Sequence, residues 1–261
     1  MMWLIKLGGS LITNKRRQQT YQEATVRRIA QEIRAAQAQQ PSLRLIIGHG
    51  SGSFGHFEAH KHGTAQGVST REQWVGFSQV ATVAAKLNQL VTETFQAEGI
   101  PALSFSPSAS AIAEAGVIQT MSVMGIQRAL EYGLTPITHG DVAFDNQIGG
   151  TIISTEAVFS YLARQIPVEQ IILLGEVAGV HDAQGQIIPH IHDDNFTQVQ
   201  DALGGSAGVD VTGGMLSKVQ DMLQLARQRP GLRIRICTGQ TPGLLQQTLL
   251  GLSEPGTLIT S

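Results

Sequence analysis

The chain has 261 residues, 42% of them hydrophobic, and 18 Lys and Arg stand against 20 Asp and Glu for a formal net charge of −2. That length and apolar content suit one large α/β domain with a substantial core, and charge this balanced and scattered excludes a basic face that would track a nucleic-acid backbone. The single cysteine, Cys237, excludes an internal disulfide framework, and no apolar run approaches the roughly 18 residues of a membrane span. Met1 leads at once into a strand rather than a signal peptide, so the expectation is a cytoplasmic protein with no membrane or nucleic-acid partner.

The first apolar run, 2–7, carries Lys6 and passes directly into Gly8-Gly9-Ser10. Two glycines after a strand bare the backbone N–H groups to a phosphate, and the lysine beside them supplies fixed positive charge. Residues 14–20 read as a loop. Residues 21–40 read as a helix with Val26, Ile29, Ala30 and Ile33 on one face. A second run, 43–47, leads into Gly50-Ser51-Gly52-Ser53-Phe54-Gly55-His56, another phosphate cradle. Two cradles imply two phosphorylated ligands.

The spacing Gly50-x-Gly52-x-x-Gly55 matches a dinucleotide fingerprint, but it follows the second strand rather than the first. The acidic residue wanted about 20 positions on would be Glu72, in a polar segment without strand pattern. No Gly-x-x-x-x-Gly-Lys-Ser/Thr is present. His56 and His60 have the i, i+4 spacing of a zinc helix, yet the order His-Phe-Glu-Ala-His misplaces the required glutamate. His56, at the mouth of a glycine-rich turn, reads as a hydrogen-bond donor to a phosphate or as a plain helix-start residue, with His60 and His62 solvated.

Residues 75–95 form the next helix, with Val80, Val83, Leu87, Leu90 and Val91 on one face. Further apolar runs at 101–105, 134–138, 170–174, 232–237 and 257–260 alternate with helical stretches. This is the pattern of an α/β protein with an open, mainly parallel β-sheet sandwiched between helices. Residues 182–186 read as a hairpin turn and 202–209 as a glycine-bearing loop. Residues 215–227 read as a helix striped by Leu216, Val219, Met222, Leu223 and Ala226. A soft boundary at 164–167 divides a single domain, 1–261, into a phosphate-acceptor half, 1–165, and a nucleotide half, 166–261.

A third glycine-rich element, Asp210-Val211-Thr212-Gly213-Gly214-Met215, opens the helix that carries Lys218. Backbone N–H groups at a helix start, with an amine one turn in, suit the terminal phosphates of a nucleotide. Two more stretches follow strands: His139-Gly140-Asp141-Val142-Ala143-Phe144-Asp145 and Leu173-Leu174-Gly175-Glu176-Val177-Ala178-Gly179-Val180. All five elements fall where open parallel sheets bind ligands, beyond the carboxyl ends of the strands.

Together these motifs resemble the amino acid kinase superfamily, and within it the isopentenyl phosphate kinases. The match rests on Lys6-Leu7-Gly8-Gly9-Ser10 with Thr13 and Lys15, on His49 through His56, on Gly140 through Asp145, and on Asp210 through Lys218. Acetylglutamate and uridylate kinases lack the histidine that here is His56. The resemblance implies the amino acid kinase fold and transfer of phosphate from ATP to isopentenyl phosphate, with Mg²⁺ and as a homodimer. Lys6 and Lys218 would flank the moving phosphoryl, Lys15 would assist at the acceptor side, and Gly8 and Gly9 would donate N–H groups. His56 with the backbone of Gly50 and Gly55, together with Gly149 and Gly150, would hold the acceptor. Ser10, Ser51, Gly175, Glu176, Gly179, Val180, His181 and Gly214 complete the implied nucleotide site, with no protein ligand set for a metal.

Three departures stand out. Gly175-Glu176-Val177-Ala178-Gly179-Val180-His181 replaces the family's Thr-Asp-x-Asp-Gly-Val-Tyr, Ser154-Thr155-Glu156 replaces Ser-Gly-Asp, and Ser51 replaces a glycine. Ser51 is expected to narrow access to the second cradle by one hydroxymethyl group. The five-carbon tail of the acceptor needs an apolar slot, for which the helix 75–95 with Ala81, Ala84 and Ala85 is one wall, unless that stripe is plain core packing. Two other readings stay open: a kinase of another small phosphate or phosphonate, of the fosfomycin type, and a non-catalytic nucleotide-binding regulator on the same fold.

Overall fold

The structure, a computed structural model, describes residues 1–14, 17–204 and 214–261, apart from the side chains of residues 56, 57 and 60–62. Its elements in chain order are β1 (Met2–Leu7), α1 (Gly9–Ile12), α2 (Glu23–Gln39), β2 (Arg44–His49), α3 (Gly52–His62), α4 (Arg71–Ala97), β3 (Ala102–Ser104), β4 (Ile112–Glu114) and β5 (Val117–Thr120). There follow α5 (Met124–Glu131), β6 (Thr135–His139), β7 (Asp141–Asp145), β8 (Gly149–Ile153), α6 (Thr155–Gln165), β9 (Gln170–Gly175) and β10 (His190–Ile191). The chain ends with α7 (Phe196–Gly204), α8 (Met215–Gln228), β11 (Arg233–Thr238), α9 (Leu244–Leu249) and β12 (Thr257–Ile259).

Eight strands form one sheet in the order β10-β12-β11-β9-β1-β2-β6-β3, parallel throughout except where β11 meets β12. Strands covered on both faces must be apolar on both, which is why 2–7 and 170–174 are nearly unbroken hydrophobic runs. Successive side chains of β1 take opposite faces. Trp3, Ile5 and Leu7 enter one core with Val26, Ile29 and Ile33 of α2, Leu87 and Val91 of α4 and Leu245 of α9. Leu4 enters the other, with Phe159 and Leu162 of α6 and Val219 and Met222 of α8. The expected helix–sheet–helix sandwich is therefore present.

The strand order reverses at β1. From it the chain adds β2, β6 and β3 on one side and β9 and β11 on the other, which opens a crevice beyond the carboxyl ends of these strands. The pairing of β1 with β9, from Trp3 opposite Gln170 to Leu7 opposite Leu174, carries the sheet across the 164–167 segment.

Sequence reading contains no counterpart to a second sheet, β5-β4-β7-β8. It reads 139–145 only as a stretch following the strand 134–138, whereas Asp141–Asp145 pairs antiparallel with β8 along its whole length. The strands are short, and polar Asp141 and Asp145 mask the apolar Val142-Ala143 between them. Asp145 is at home there because its carboxylate accepts the N–H groups of Ala115, Gly116, Gln147 and Ile148 at 2.7 to 3.1 Å, tying the β4–β5 turn to the β7–β8 turn.

Some boundaries move. The helix expected over 75–95 starts at Arg71, where the Thr70 hydroxyl accepts from Gln73 N–H and the Gln73 side chain accepts from Thr70 N–H. Of the expected loop 202–209, residues 202–204 end α7 and 205–209 lie outside the described residues. The turn at 182–186 is present, closed by Asp182 N–H on the Gln186 carbonyl at 2.8 Å. Among the described residues no helix is long and apolar enough to cross a membrane.

Candidate active site

Because β1 and β2 are parallel with Leu7 opposite His49, the two glycine-rich segments leave the sheet side by side. They touch backbone to backbone: a Cβ on Gly9 would lie 2.6 Å from the Gly52 nitrogen, and Gly52 itself takes φ +48°. Only glycine fits at that crossing. Thr13, buried, fastens it. Its hydroxyl donates to the Gly9 carbonyl at 2.7 Å and accepts from Ser53 N–H at 2.9 Å, joining α1 to α3.

The donors facing the crevice differ from those expected. Gly8 N–H is spent on the Leu174 carbonyl, Gly50 N–H on Leu7 and Gly55 N–H on Ser51, all of them sheet or helix bonds. Gly8 therefore corrects to a structural turn residue, and the backbone N–H groups of Gly50 and Gly55 are likewise used internally. Gly9, Ser10, Ser51 and Gly52, at and beside the crossing, donate their N–H groups to no described residue. Ser51 does not narrow the cradle in the way its hydroxymethyl group suggests, because that group packs over Gly55, whose added Cβ would lie 2.5 Å from Ser51 Cβ.

Lys6 lies opposite Gly48 on one side and Leu173 on the other, near the end of the central strand. Its ammonium donates to Glu156 Oε1, and Lys218 Nζ stands 3.8 Å from the same oxygen. Glu156 comes from the first turn of α6, capped by the Ser154 hydroxyl, and Lys218 from the first turn of α8, which opens at Gly214. Burial opposes ionisation of Glu156, but Lys6 and Lys218 outweigh it and hold the carboxyl below its ordinary range. Burial also lowers Lys6, helped by Lys218 and opposed by Glu156. Asp221, on the same helix as Lys218, is raised by burial and by Glu156.

Glu156 was absent from the expected site residues, although an acid in the first turn of a helix after an apolar strand was its visible signal. Behind the second cradle, His49 and His139 end neighbouring strands and stack with ring centres 5.4 Å apart. Both are fully buried, which lowers His49 to about 3, with His139 adding to the shift, and His139 to about 4.

The backbone of His56 lies in α3, in the turn after the crossing, while its imidazole falls outside the described side chains. Lys15 and Asp210 through Gly213 also fall outside the described residues. Gly149 and Gly150 begin β8, and a Cβ on Gly150 would meet the Phe77 ring at 2.9 Å. They border a third apolar cluster, Val68, Phe77, Val80 and Val142, edged by Trp74, Ala81 and Ile152. Of the alanines expected to wall a tail slot, Ala81 lies at this cluster, Ala84 is buried and Ala85 is exposed on another face. Bulky Trp74, Phe77 and Val80 shape the cluster instead.

On the opposite side, Gly175 ends β9 and its carbonyl accepts from Gly239 N–H at 2.8 Å, with Glu176 exposed beside it. Gly179 packs against Gly256, and Val180 is a core residue whose N–H goes to the Thr257 hydroxyl at 2.8 Å. Val180 is thus taken up by packing rather than offered to a ligand. His181 bridges to Ile187.

A parallel sheet with bare amides and paired lysines at its switch point defines a phosphate-handling enzyme class, and the family comparison agrees with it. The sequence model of the amino acid kinase family matches residues 1–238, and the chain belongs to that family. Within it the chain groups with the isopentenyl phosphate kinases. It is 33% identical to the isopentenyl phosphate kinase of Methanothermobacter thermautotrophicus over 99% of each chain, and 31% identical to that of Methanocaldococcus jannaschii over 86% of this chain and 87% of that one. A solved isopentenyl phosphate kinase structure superimposes with a TM-score of 0.84 at 30% identity, covering 99% of this chain and all of that one.

Proposed function

We propose that this protein transfers the γ-phosphoryl group of ATP to isopentenyl phosphate, giving isopentenyl diphosphate and ADP. The observation that carries the reading is the junction of two bare-amide loops beside Lys6 and Lys218, which share one buried carboxylate. Two anions must meet end to end in this reaction, and such a junction offers each a set of donors. The curated relatives bearing the isopentenyl phosphate kinase name support the choice of acceptor.

An acceptor phosphate oxygen is already largely ionised near neutral pH, so no side chain has to remove its proton. That oxygen bonds to the γ-phosphorus as the bond to the ADP oxygen breaks, and no proton moves. Negative charge spreads over the moving group, so preplaced cations and N–H dipoles carry the catalysis. Lys6 and Lys218 are the cations, Gly9, Ser10, Ser51 and Gly52 the amides, and Glu156 holds the ammoniums in place. Lys15 and His56 belong to the acceptor side by family resemblance, and Gly175, Glu176, His181 and Gly214 to the nucleotide side; Ser51, expected at the nucleotide, goes to the acceptor side in this reading, because it caps α3, the helix that carries His56. The cluster around Phe77, Val80 and Val142 is the natural seat for a short apolar tail.

Mg²⁺ belongs to this reading as a hard cation carried on the nucleotide phosphates. The reading extends to a cytoplasmic homodimer that supplies isoprenoid precursors in a mevalonate pathway. A panel of alkyl and alkenyl monophosphates and phosphonates, assayed with Mg-ATP by coupled ADP release, tests it. Isopentenyl phosphate should be the best acceptor; preference for a phosphonate, or tight ATP binding without turnover, refutes the assignment.

A further inference from the structure

His49 lies within the second glycine-rich motif, yet nothing in the proposed chemistry uses it. It is fully buried, and both ring nitrogens have neighbours. Nδ1 is 3.2 Å from the carbonyl of Gly50, and Nε2 is 3.0 Å from the side-chain amide of Asn88 on α4, which in turn reaches the Ser104 hydroxyl on β3. The main chain around it is pinned as well. The His49 carbonyl accepts from the Thr155 hydroxyl at 2.7 Å and from Gly140 N–H at 3.1 Å, and Gly50 N–H donates to Leu7.

With the Asn88 oxygen toward the ring, Nε2 must carry the proton, and a bare Nδ1 lone pair then faces the Gly50 carbonyl: two acceptors in contact. A doubly protonated ring would satisfy both neighbours, but a fully buried imidazole stacked 5.4 Å from His139 resists that charge. Turning the amide end for end removes the conflict, since amide oxygen and nitrogen are equivalent in shape. The Ser104 hydroxyl then donates to Asn88 Oδ1, Asn88 Nδ2 donates to His49 Nε2, and His49 Nδ1–H donates to the Gly50 carbonyl. Every group in the chain is paired with a neutral ring.

We infer that His49 is a positioning residue for the phosphate acceptor, holding the Gly50–Ser51 peptide so that Ser51 N–H faces the crevice. The carbonyl and N–H of a trans peptide point in opposite directions, so fixing the Gly50 oxygen against the buried ring turns the Ser51 N–H away from it. Asn88, oriented by Ser104 of β3, sets the tautomer from α4, the helix whose first turns also bear Trp74, Phe77 and Val80. The inference rests on the proposed acceptor chemistry for its kinetic consequence and on the hydrogen-bond chain alone for its tautomer.

Two measurements test it separately. Long-range ¹H–¹⁵N spectra of histidine-labelled protein without substrate, with His49→Asn used to assign the signal, should show the Nδ1–H tautomer for His49; an Nε2–H or doubly protonated ring overturns the inference. In kinetics, His49→Leu should raise KM for isopentenyl phosphate by about tenfold, leave KM for ATP within about twofold, and be largely rescued in His49→Asn, whose amide can again reach the Gly50 carbonyl. Equal losses for both substrates, or equal behaviour of Leu and Asn, overturn it. Should His49→Leu not fold, Asn88→Leu takes its place, with the same acceptor-specific rise expected and its absence counting against the inference. Wild-type protein inactive on isopentenyl phosphate refutes the proposed reaction but leaves the tautomer result standing.

Discussion

Glu156→Gln isolates the charge at the centre of the lysine cluster while keeping its shape. In the wild-type protein one carboxylate, only 13% exposed, answers Lys6, 11% exposed, and Lys218, 36% exposed. Neutralising it leaves two ammoniums facing each other with their common counter-ion gone. Removing one partner of a buried ion pair costs about 3–5 kcal/mol, and because Lys218 retains contact with water the lower end, about 3 kcal/mol, applies here. For a chain of this length that is a fall in Tm of roughly 5–10 °C. The pH dependence has a definite sign. The Glu156 carboxyl is held below its ordinary range in the folded protein, so its contribution is present in full above the unfolded carboxyl value near 4.3 and is lost as pH falls through the lower folded value. The gap between the melting curves of the two proteins should thus be full at pH 7, hold down to the unfolded carboxyl value, and close only as pH falls below it. In turnover assays at pH 7 the variant should lose about 10²-fold in kcat, with KM for isopentenyl phosphate changed little, since Glu156 holds the cations on the moving phosphoryl rather than the acceptor. A Tm gap that is absent at pH 7, or that fails to shrink as pH falls well below the unfolded carboxyl value, would refute this account of the cluster.

Other outcomes follow from the same geometry. Lys218→Ala should lower kcat by about 10²- to 10³-fold while the fold survives, because the side chain is a third exposed; turnover within a few fold of wild type would remove Lys218 from the proposed chemistry. Gly9→Ala would place a Cβ 2.6 Å from the Gly52 nitrogen and 2.7 Å from its Cα, so the two loops must separate. The expected result is a destabilisation of about 1–3 kcal/mol in urea melts together with weakened binding of both substrates, which separate KM measurements resolve. Phe77→Ala should open the apolar cluster beside Gly150 and improve kcat/KM for longer alkenyl monophosphates relative to isopentenyl phosphate. An unchanged chain-length profile would move the tail elsewhere.

Much of the architecture was legible because buried parallel strands write themselves as apolar runs. Seven of the eight strands of the main sheet coincide with runs read from sequence, and the helices α2, α4 and α8 with their stripes. The glycine pairs after β1 and β2 announced the cradles for the same reason: bare backbone beyond a strand has few other uses. Less legible was the second sheet. Its strands are only three to five residues long, and Asp145 looks like a loop residue until four backbone N–H groups are seen to converge on its carboxylate from two different turns. Val180 misled in the opposite sense, sitting in a motif that suggests ligand binding while its side chain packs in the core.

By itself the sequence determined which segments are strand, helix and phosphate-binding turn, and which side chains bring charge to them, since these depend on local periodicity and on the conformational range of glycine. Only the tertiary structure decided that Glu156 binds Lys6 and Lys218, that Thr13 locks two loops 40 residues apart, and that the amides of Gly8 and Gly50 are spent on the sheet. Those facts depend on which strand lies beside which: the reversal of strand order at β1 brings residues from positions 6, 52, 156 and 218 to one crevice, and no spacing along the chain encodes that meeting.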